Sequence, residues 1–207
     1  MCFRLKHEQE LDSKSTAIHA KLLASSQISI HQFHRTAVVP VYPESNESSD
    51  LVEEITTNPA AYVILFPDET AVELKDLPAD EFSQIRNVIV IDGTWSQAAA
   101  INRTDPYCRL RRIKINPNLK TVFWRYQDLG EHCLSTIEAI YYFMREFLEA
   151  QEMVNDNTMM CYDGRYDNLL YFFSFFYHLI QRSYNNNPDR KYTSRHRPNY
   201  IKRENDK

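Results

Sequence analysis

Residues 88–102 read VIVIDGTWSQAAAIN, and this stretch decides the fold class. The unbroken β-branched run 88–91 predicts a strand that is buried on both faces, as in a parallel sheet covered by helices. An Asp-Gly turn ends the strand. Thr94 and Gln97 then have the S/T-x-x-Q spacing of a capping box, which predicts that a helix begins there and runs through Ile101.

Asp92, the residue that follows this strand, is the candidate catalytic group. In an open α/β sheet a strand-to-helix turn lies at the carboxyl edge, where ligands bind beside exposed helix amides. Trp95 would stand in the first helical turn, where an indole can stack on a planar ligand. Both residues also have ordinary structural explanations, Asp92 as a solvated cap and Trp95 as a packing residue.

Other segments complete an α/β pattern. Residues 61–66 predict a second buried strand, and Ser135 with Glu138 forms another capping box, which opens a helix at 137–148. The segment 169–180 is apolar on nearly every face but too short to span a bilayer, so it predicts a buried core helix or a dimer-interface helix. Further strands are predicted at 28–30, 36–41, 111–115 and 121–126, and further helices at 13–23 and 80–86.

Composition excludes several classes of protein. At 207 residues, 43% hydrophobic, the chain has the composition of one globular domain. Its 3 glycines stand at 93, 130 and 164, too far apart to form either a G-x-G-x-x-G turn or a Walker-type loop. The cysteines are scattered without a C-x-x-C pair, which argues against a structural zinc site and against a disulfide framework.

Charge is distributed unevenly along the chain. Residues 42–85 contain eleven acidic residues against one lysine, whereas residues 103–125 contain seven basic residues against one aspartate. Residues 182–207 contain eight basic and three acidic residues. A mildly acidic protein with two basic blocks can present a basic face to a polyanion, although each block taken singly can also be a solvated surface.

The same patterns predict the domain organisation. We expect a disordered segment at 1–13, one catalytic domain at 14–182, and a basic, disordered tail at 183–207. Neither a transmembrane run nor a charged-then-apolar leader is visible, so we expect an intracellular soluble protein of the nucleus or cytoplasm, without a membrane partner. A monomer and a homodimer are both compatible with the sequence.

Paired motifs give the chain a resemblance to a known family. DGTW at 92–95 is followed by LSTIEA at 134–139, and further matches are KSTAIHAKLL at 14–23, LFPDE at 65–69, FWR at 123–125 and YDNLLYFF at 166–173. With these motifs the chain resembles the DTW-domain family of tRNA-uridine aminocarboxypropyltransferases, in particular its eukaryotic members. The likeness covers roughly residues 14–182. Many relatives carry an N-terminal cysteine-rich segment, and nothing similar precedes Lys14 in this sequence.

The resemblance implies a fold and a reaction. The expected fold is a SPOUT-like, mostly parallel sheet with helices on both faces and a C-terminal α/β knot. The expected reaction transfers the 3-amino-3-carboxypropyl group of S-adenosylmethionine to N3 of a uridine in tRNA. Because the sulfonium already activates the leaving group, we expect no metal. Asp92 would be the general base that takes the N3 proton, a role that contributes about 10²–10⁴-fold to such reactions.

The resemblance and the charge pattern together give two sets of candidate site residues. The donor-binding candidates are Leu65, Pro67, Asp92, Thr94, Trp95, Ser96, Leu134, Ser135, Thr136 and Glu138. The RNA-binding candidates are Arg103, Arg109, Arg111, Arg112, Lys120 and Arg125, because clustered like charges repel unless they face an anion. Two alternatives stay open, a SPOUT-type RNA methyltransferase with the same cofactor and a catalytically silent RNA-binding protein.

Overall fold

The structure is a computed structural model that describes residues 15–31, 36–40, 51–124, 130–155, 162–187, 189–190 and 200–202. The predicted first segment, 1–13, lies outside these ranges. The helices are α1 (Ala17–Leu23), α2 (Leu51–Thr57), α3 (Ala79–Phe82), α4 (Trp95–Asn102), α5 (Thr136–Val154) and α6 (Tyr171–Asn185). The strands are β1 (Ser29–His31), β2 (Thr36–Pro40), β3 (Tyr62–Leu65), β4 (Asn87–Ile91) and β5 (Arg111–Ile113).

One sheet of five strands runs in the order β1-β2-β4-β3-β5. Strand β3 pairs in parallel with both β4 and β5. The predicted α/β class and the parallel centre of the sheet are therefore confirmed. The expectation of a mostly parallel sheet needs correction, because β2 pairs antiparallel with both β4 and β1. The two buried β-branched runs form the parallel centre, and the strands nearer the N-terminus, β1 and β2, extend it as a mixed sheet.

The two central strands are buried on both faces, as the β-branched runs predict. Because side chains alternate along a strand, Val88 and Val90 face one apolar cluster with α1 and α5, whereas Ile89 and Ile91 face a second cluster with α2 and α4. Ile89 is fully buried, and such burial stabilises the fold by about 1.5–3 kcal/mol for each side chain. Helices thus cover the sheet on both sides.

The connections between the parallel strands create a crevice. The chain from β3 to β4 passes over the first face, where Phe82 of α3 packs, and the chain from β4 to β5 passes over the second face, where Ala98 of α4 packs. Neighbouring strands β3 and β4 therefore send their chains to opposite sides. This divergence at the carboxyl ends of parallel strands is the place where open α/β sheets bind ligands.

The predicted strand at 121–126 is not formed in its described part, 121–124. The backbone amide of Val122 donates to Glu138 Oε1 at 2.8 Å, and that of Phe123 donates to Thr121 Oγ1 at 3.0 Å. Side chains therefore bind the amides that a strand ladder would have used. A β-branched and aromatic run indicates burial, and here the burial belongs to a segment that packs beside α5.

The C-terminal part also differs from expectation. Helix α6 exists, but only one side of it is buried, so the prediction of a core helix is wrong for its outer face. Beyond the predicted domain limit at 182, Tyr200 and Ile201 form a buried cluster with Tyr184. The side-chain amide of Gln181 fixes that segment by donating to Tyr200 O at 2.8 Å. The domain limits at 14 and 182 stay predictions.

The described residues contain neither a helix suited to a bilayer nor a cluster of metal ligands. None of the helices in these ranges has the length and apolar character that crossing a membrane requires. Among the same residues, three or more His, Cys, Asp and Glu side chains are nowhere grouped so that they could hold a metal ion.

Candidate active site at the carboxyl edge of the sheet

Asp92 lies at the end of β4, half-buried, and two hydroxyl groups from distant parts of the chain bind it. Ser15 Oγ donates to Asp92 Oδ2 at 2.5 Å across 77 residues of sequence. Thr136 Oγ1 donates to Asp92 Oδ1 at 2.7 Å across 44 residues. Three separate motifs, KST, DGTW and LST, therefore meet at one carboxylate.

Thr16 strengthens this junction. Its Oγ1 accepts a hydrogen bond from the backbone amide of Ile137 at 3.1 Å, so a residue just before α1 caps the first turn of α5. Thr16 is 5% exposed, and hydrogen bonds of buried groups are costly to leave unmade. Ser15 and Thr16 thus tie the end of β4 to the beginning of α5, which fixes the geometry around Asp92.

The predicted capping box of α4 is confirmed. Gln97 N donates to Thr94 Oγ1 at 3.4 Å, and Thr94 N donates to Gln97 Oε1 at 3.0 Å. The Ser96 hydroxyl lies 3.2 Å from that of Thr94. The box holds the first turn of α4 beside Asp92, with Trp95 in that turn.

Trp95 is half-buried and packs against an aromatic residue of the neighbouring strand end. Its ring centroid lies 6.1 Å from that of Phe66, which follows β3, and the two rings are tilted by 53°. The aromatic pair joins the carboxyl ends of β3 and β4 across the crevice. Leu65, the last residue of β3, is buried, and Pro67 is exposed one residue beyond Phe66.

Glu138 is a buried carboxylate that four donors surround. Its Oε2 accepts from Ser135 N at 2.8 Å, Ser135 Oγ at 2.7 Å and Thr121 Oγ1 at 2.7 Å, and its Oε1 accepts from Val122 N at 2.8 Å. Only 3% of Glu138 is exposed. The carboxylate therefore holds the segment before α5 and the segment 121–123 together. Leu134, before the cap, is half-buried.

His19 is a buried polar residue of the KSTAIHA motif that sequence reasoning did not select. Its ring stacks on Phe176 of α6 with centroids 5.8 Å apart and also contacts Phe172 at 5.9 Å. Burial lowers the pKa of His19 below its ordinary value. The imidazole is therefore a neutral packing element that holds α1 against α6 near neutral pH.

Most of the predicted RNA-binding residues form ion pairs with carboxylates of the chain itself. Arg112 Nε lies 2.6 Å from Asp68 Oδ2, and this guanidinium also donates to the carbonyl of Asn102 at 3.3 Å. The other pairs are Arg109 with Asp105, Arg111 with Glu81, and Lys120 with Glu131. Arg103 is exposed at the end of α4, and Arg125 lies outside the described residues.

These pairs differ in exposure. The side chain of Arg112 is 17% exposed and that of Arg109 is 67% exposed. From the sequence, the clustered arginines are expected either to face an external anion or to be solvated, but Asp68 and Glu81, both from the acidic block 42–85, supply internal anions. The opposite net charges of the acidic block 42–85 and the basic block 103–125 were the sequence signal that could have indicated these ion pairs.

Sequence reasoning also missed Ser15 and Thr16 as parts of the site. They stand in the matched KSTAIHA motif, directly before a helix, and adjacent hydroxyl residues at such a place are suited to capping. A pattern along the chain does not reveal which distant group a hydroxyl binds, so only the structure shows that Ser15 reaches Asp92.

The fold and the site define an α/β protein with a polar cluster at the carboxyl ends of its central strands. Residues 2–181 match the DTW domain, and the chain belongs to the DTW-domain family. No solved structure gives a significant match.

Curated relatives from several vertebrates are similar to the chain. A mouse relative is 32% identical over 204 residues, a human relative is 32% identical over 203 residues, and a Xenopus laevis relative is 33% identical over 200 residues. Each is a tRNA-uridine aminocarboxypropyltransferase 1. The matches cover 86%, 86% and 85% of this chain and 64%, 64% and 66% of the relatives. The chain thus spans less than two thirds of the length of these relatives.

Proposed function

We propose that this protein modifies tRNA by transferring the 3-amino-3-carboxypropyl group of S-adenosylmethionine to N3 of a uridine. The observation that carries the proposal is the meeting of three family motifs at Asp92, through the bonds from Ser15 and Thr136. The names of the relatives support the same reaction.

Asp92 is the general base in this proposal. Uridine N3 becomes a nucleophile when its proton is removed; N3 then bonds to the γ-carbon of the donor, the carbon–sulfur bond breaks, and methylthioadenosine leaves. A carboxylate offers about four lone-pair sites, and the hydroxyls of Ser15 and Thr136 use two of them. Asp92 therefore keeps the capacity to accept the N3 proton while both hydroxyls orient it.

The donor would bind in the crevice between the ends of β3 and β4. Trp95, with Phe66 and Pro67 beside it, offers an aromatic and apolar wall for the adenine. The donor's carboxylate would lie at the N-terminal ends of α4 and α5, near Ser96 and Thr136, because helix N-termini attract anions. Four of the candidates would not contact the donor but would position the residues that do, and these are Glu138, Ser135, Leu65 and Leu134.

The tRNA would lie over the exposed basic residues around β5. Exposed ion pairs contribute little to stability, so Arg109, Arg111 and Lys120 can exchange their carboxylate partners for phosphates. Arg103 is exposed in the same region of the chain. Arg125 belongs to this proposal by the charge pattern alone. Arg112 is the weakest candidate, because its guanidinium is engaged by Asp68 and by backbone carbonyls.

The finer fold assignment is also part of the proposal. A SPOUT-like arrangement with a C-terminal α/β knot rests on the family resemblance, and the helix-flanked parallel strands are compatible with it. We further propose that the protein works in the nucleus or cytoplasm and that the sulfonium donor makes a metal unnecessary.

Differential labelling of the donor tests the proposed reaction. Bulk tRNA is incubated with the protein and S-adenosylmethionine labelled either on the carboxylate or on the methyl group. Carboxylate label should enter tRNA and methyl label should not, and Asp80→Asn, which changes an exposed carboxylate on α3, serves as the active control. Transfer of the methyl label would contradict the proposal and favour a methyltransferase. Transfer of neither label would favour the catalytically silent RNA-binding protein.

A further inference from the structure

The outer face of α6 exposes large apolar side chains that a single protein chain ordinarily buries. Tyr171, Phe175 and Leu179 are 60%, 53% and 49% exposed and follow one another at intervals of four residues. Phe173 and Tyr184 on the other side are 4% and 3% exposed. An apolar stripe at this spacing on one helix face is typical of a surface that packs on another helix.

Opposite charges flank this stripe. Asp167 stands before the first turn of α6 and Arg182 stands in its last turn, and both line the same shallow groove of about 700 Å³. Asp167 is held in place because its Oδ1 accepts hydrogen bonds from Tyr141 at 2.9 Å and Tyr162 at 3.1 Å. Both phenols are uncharged, so neither cancels the negative charge of Asp167.

We propose that the outer face of α6 is the interface with a second copy of this chain, in an antiparallel, two-fold symmetric pair. The sequence midpoint between Asp167 and Arg182 falls between Ser174 and Phe175. A two-fold axis at that point places Asp167 of each copy opposite Arg182 of the other. The surface is therefore complementary to itself, which an isologous dimer requires.

The same axis matches the side chains between the charges. Leu170 faces Leu179 of the other copy, and Phe175 faces the small residue Ser174 of the other copy. A large side chain opposite a small one lets two helices approach closely. The charged residues at the two ends and the sizes of the side chains between them thus select the same register of the two helices.

A second copy fits this face better than RNA does. A platform for nucleic acid combines aromatic rings with a basic groove, whereas Asp167 puts negative charge at one end of the stripe, where it would repel phosphates. Leu179 and Leu170 offer no ring for base stacking. The apolar stripe with one charge of each sign is the composition expected for helix–helix contact.

The dimer should be weak. Aromatic side chains bury about 150–250 Å² each, so the half-exposed rings of α6 supply only part of the roughly 800 Å² per partner of a standard interface. We expect a dissociation constant in the micromolar range, about 1–100 µM.

Sedimentation velocity of the 207-residue chain between about 1 and 200 µM tests the proposal. The wild type should shift from monomer to dimer. Arg182→Asp and Asp167→Lys should each weaken dimerisation by at least about 10-fold, since each brings like charges together. An equimolar mixture of the two variants should form a heterodimer, because each of the two charge pairs across its interface then joins opposite charges.

Circular dichroism and thermal unfolding show whether each variant is folded, and Phe175→Ser provides a variant that leaves Asp167 and its phenol partners in place. It should be folded and monomeric. Glu149→Gln on α5 is the matched control and should dimerise as the wild type does. A wild type that stays monomeric up to the highest concentration overturns the proposal, as does a dimer that Phe175→Ser and Arg182→Asp leave unchanged. Loss of tRNA binding by Phe175→Ser in a monomeric protein would assign the face to RNA instead.

Discussion

Asp92 and Glu138 are two carboxylates from the two signature motifs of the chain, and the structure surrounds them differently. Glu138 is 3% exposed and accepts four hydrogen bonds, which use about all the lone-pair sites of a carboxylate. Asp92 is half-buried at a sheet edge and accepts two, both from hydroxyls. The acceptor sites of Glu138 are filled by its own protein, whereas Asp92 keeps acceptor sites that the proposed reaction would use.

Within a family signature, the number of occupied acceptor sites distinguishes a carboxylate that can take part in chemistry from one that holds the structure together. A carboxylate whose acceptor sites are all occupied holds segments together, as Glu138 holds Ser135 and residues 121–123. A carboxylate that is oriented yet unsaturated can take a proton. Both residues would look equally important in a sequence pattern, so activity alone does not distinguish them, but the balance between turnover and stability does.

The largest effect on turnover is expected at Asp92. Asp92→Asn keeps the shape and removes the base, so the transfer rate should fall by about 10²-fold or more while the affinity for S-adenosylmethionine changes little. Single-turnover kinetics and donor titration measure the two quantities, with Asp80→Asn as control. A rate within a few-fold of wild type would make Asp92 a cap.

Glu138 should show the opposite behaviour. Glu138→Gln replaces one acceptor oxygen with a donor that faces donors, so the free energy of unfolding should drop by about 1–3 kcal/mol. The transfer rate per folded molecule should stay within a few-fold of wild type. Urea unfolding measures the first quantity, and Glu149→Gln, on the more exposed side of α5, should leave it unchanged. A normal stability combined with a strongly reduced rate would place Glu138 in the chemistry.

Ser15 should have a smaller, kinetic effect because it orients Asp92 without touching substrate. Ser15→Ala removes one hydrogen bond of about 0.5–1.5 kcal/mol, which corresponds to roughly a 2- to 13-fold loss of transfer rate. Ser26→Ala, an exposed serine after α1, is the control. If Ser15→Ala transfers at the wild-type rate, the bond to Asp92 has no role in catalysis.

The smallest effects on function are expected at the basic residues. Here an exposed arginine should bind RNA, whereas a partly buried arginine should stabilise the fold. Arg109→Ala should reduce the slope of log tRNA affinity against log salt by roughly 0.7–0.9, the amount expected when one phosphate is no longer neutralised, without changing the stability. Arg112→Ala should leave the slope unchanged and destabilise the protein, because Asp68 loses a partly buried partner. If Arg109→Ala and the wild type have equal slopes, the RNA-binding surface lies elsewhere on the protein.

The sequence predicts the local structure of the site well. The strand–turn–helix at 88–102, the capping box of α4 and the helix that follows Ser135 are all present, because each depends on neighbouring residues. The parallel centre of the sheet also follows from its β-branched runs. The antiparallel β2 and the missing strand at 121–124 were not predicted, because pairing and competition for amides depend on distant groups.

The non-local contacts of the site were beyond the reach of sequence patterns. Ser15 reaches Asp92 across 77 residues, and the acidic block neutralises part of the basic block through Asp68 and Glu81. Periodicity reveals which side of an element is buried but not which element covers it. The outer face of α6 shows the same limit, since an apolar run predicts burial even where one chain leaves it open.

The most direct test of the link between Ser15 and Asp92 is a double-mutant cycle on the transfer rate with Asp92→Asn, Ser15→Ala and both together. Ser15 is held to act through Asp92, so removing its hydroxyl should matter only while the carboxylate is present. The double variant should therefore transfer at the rate of Asp92→Asn alone. If the two losses multiply instead, Ser15 acts independently of Asp92, and the three motifs do not form a single site.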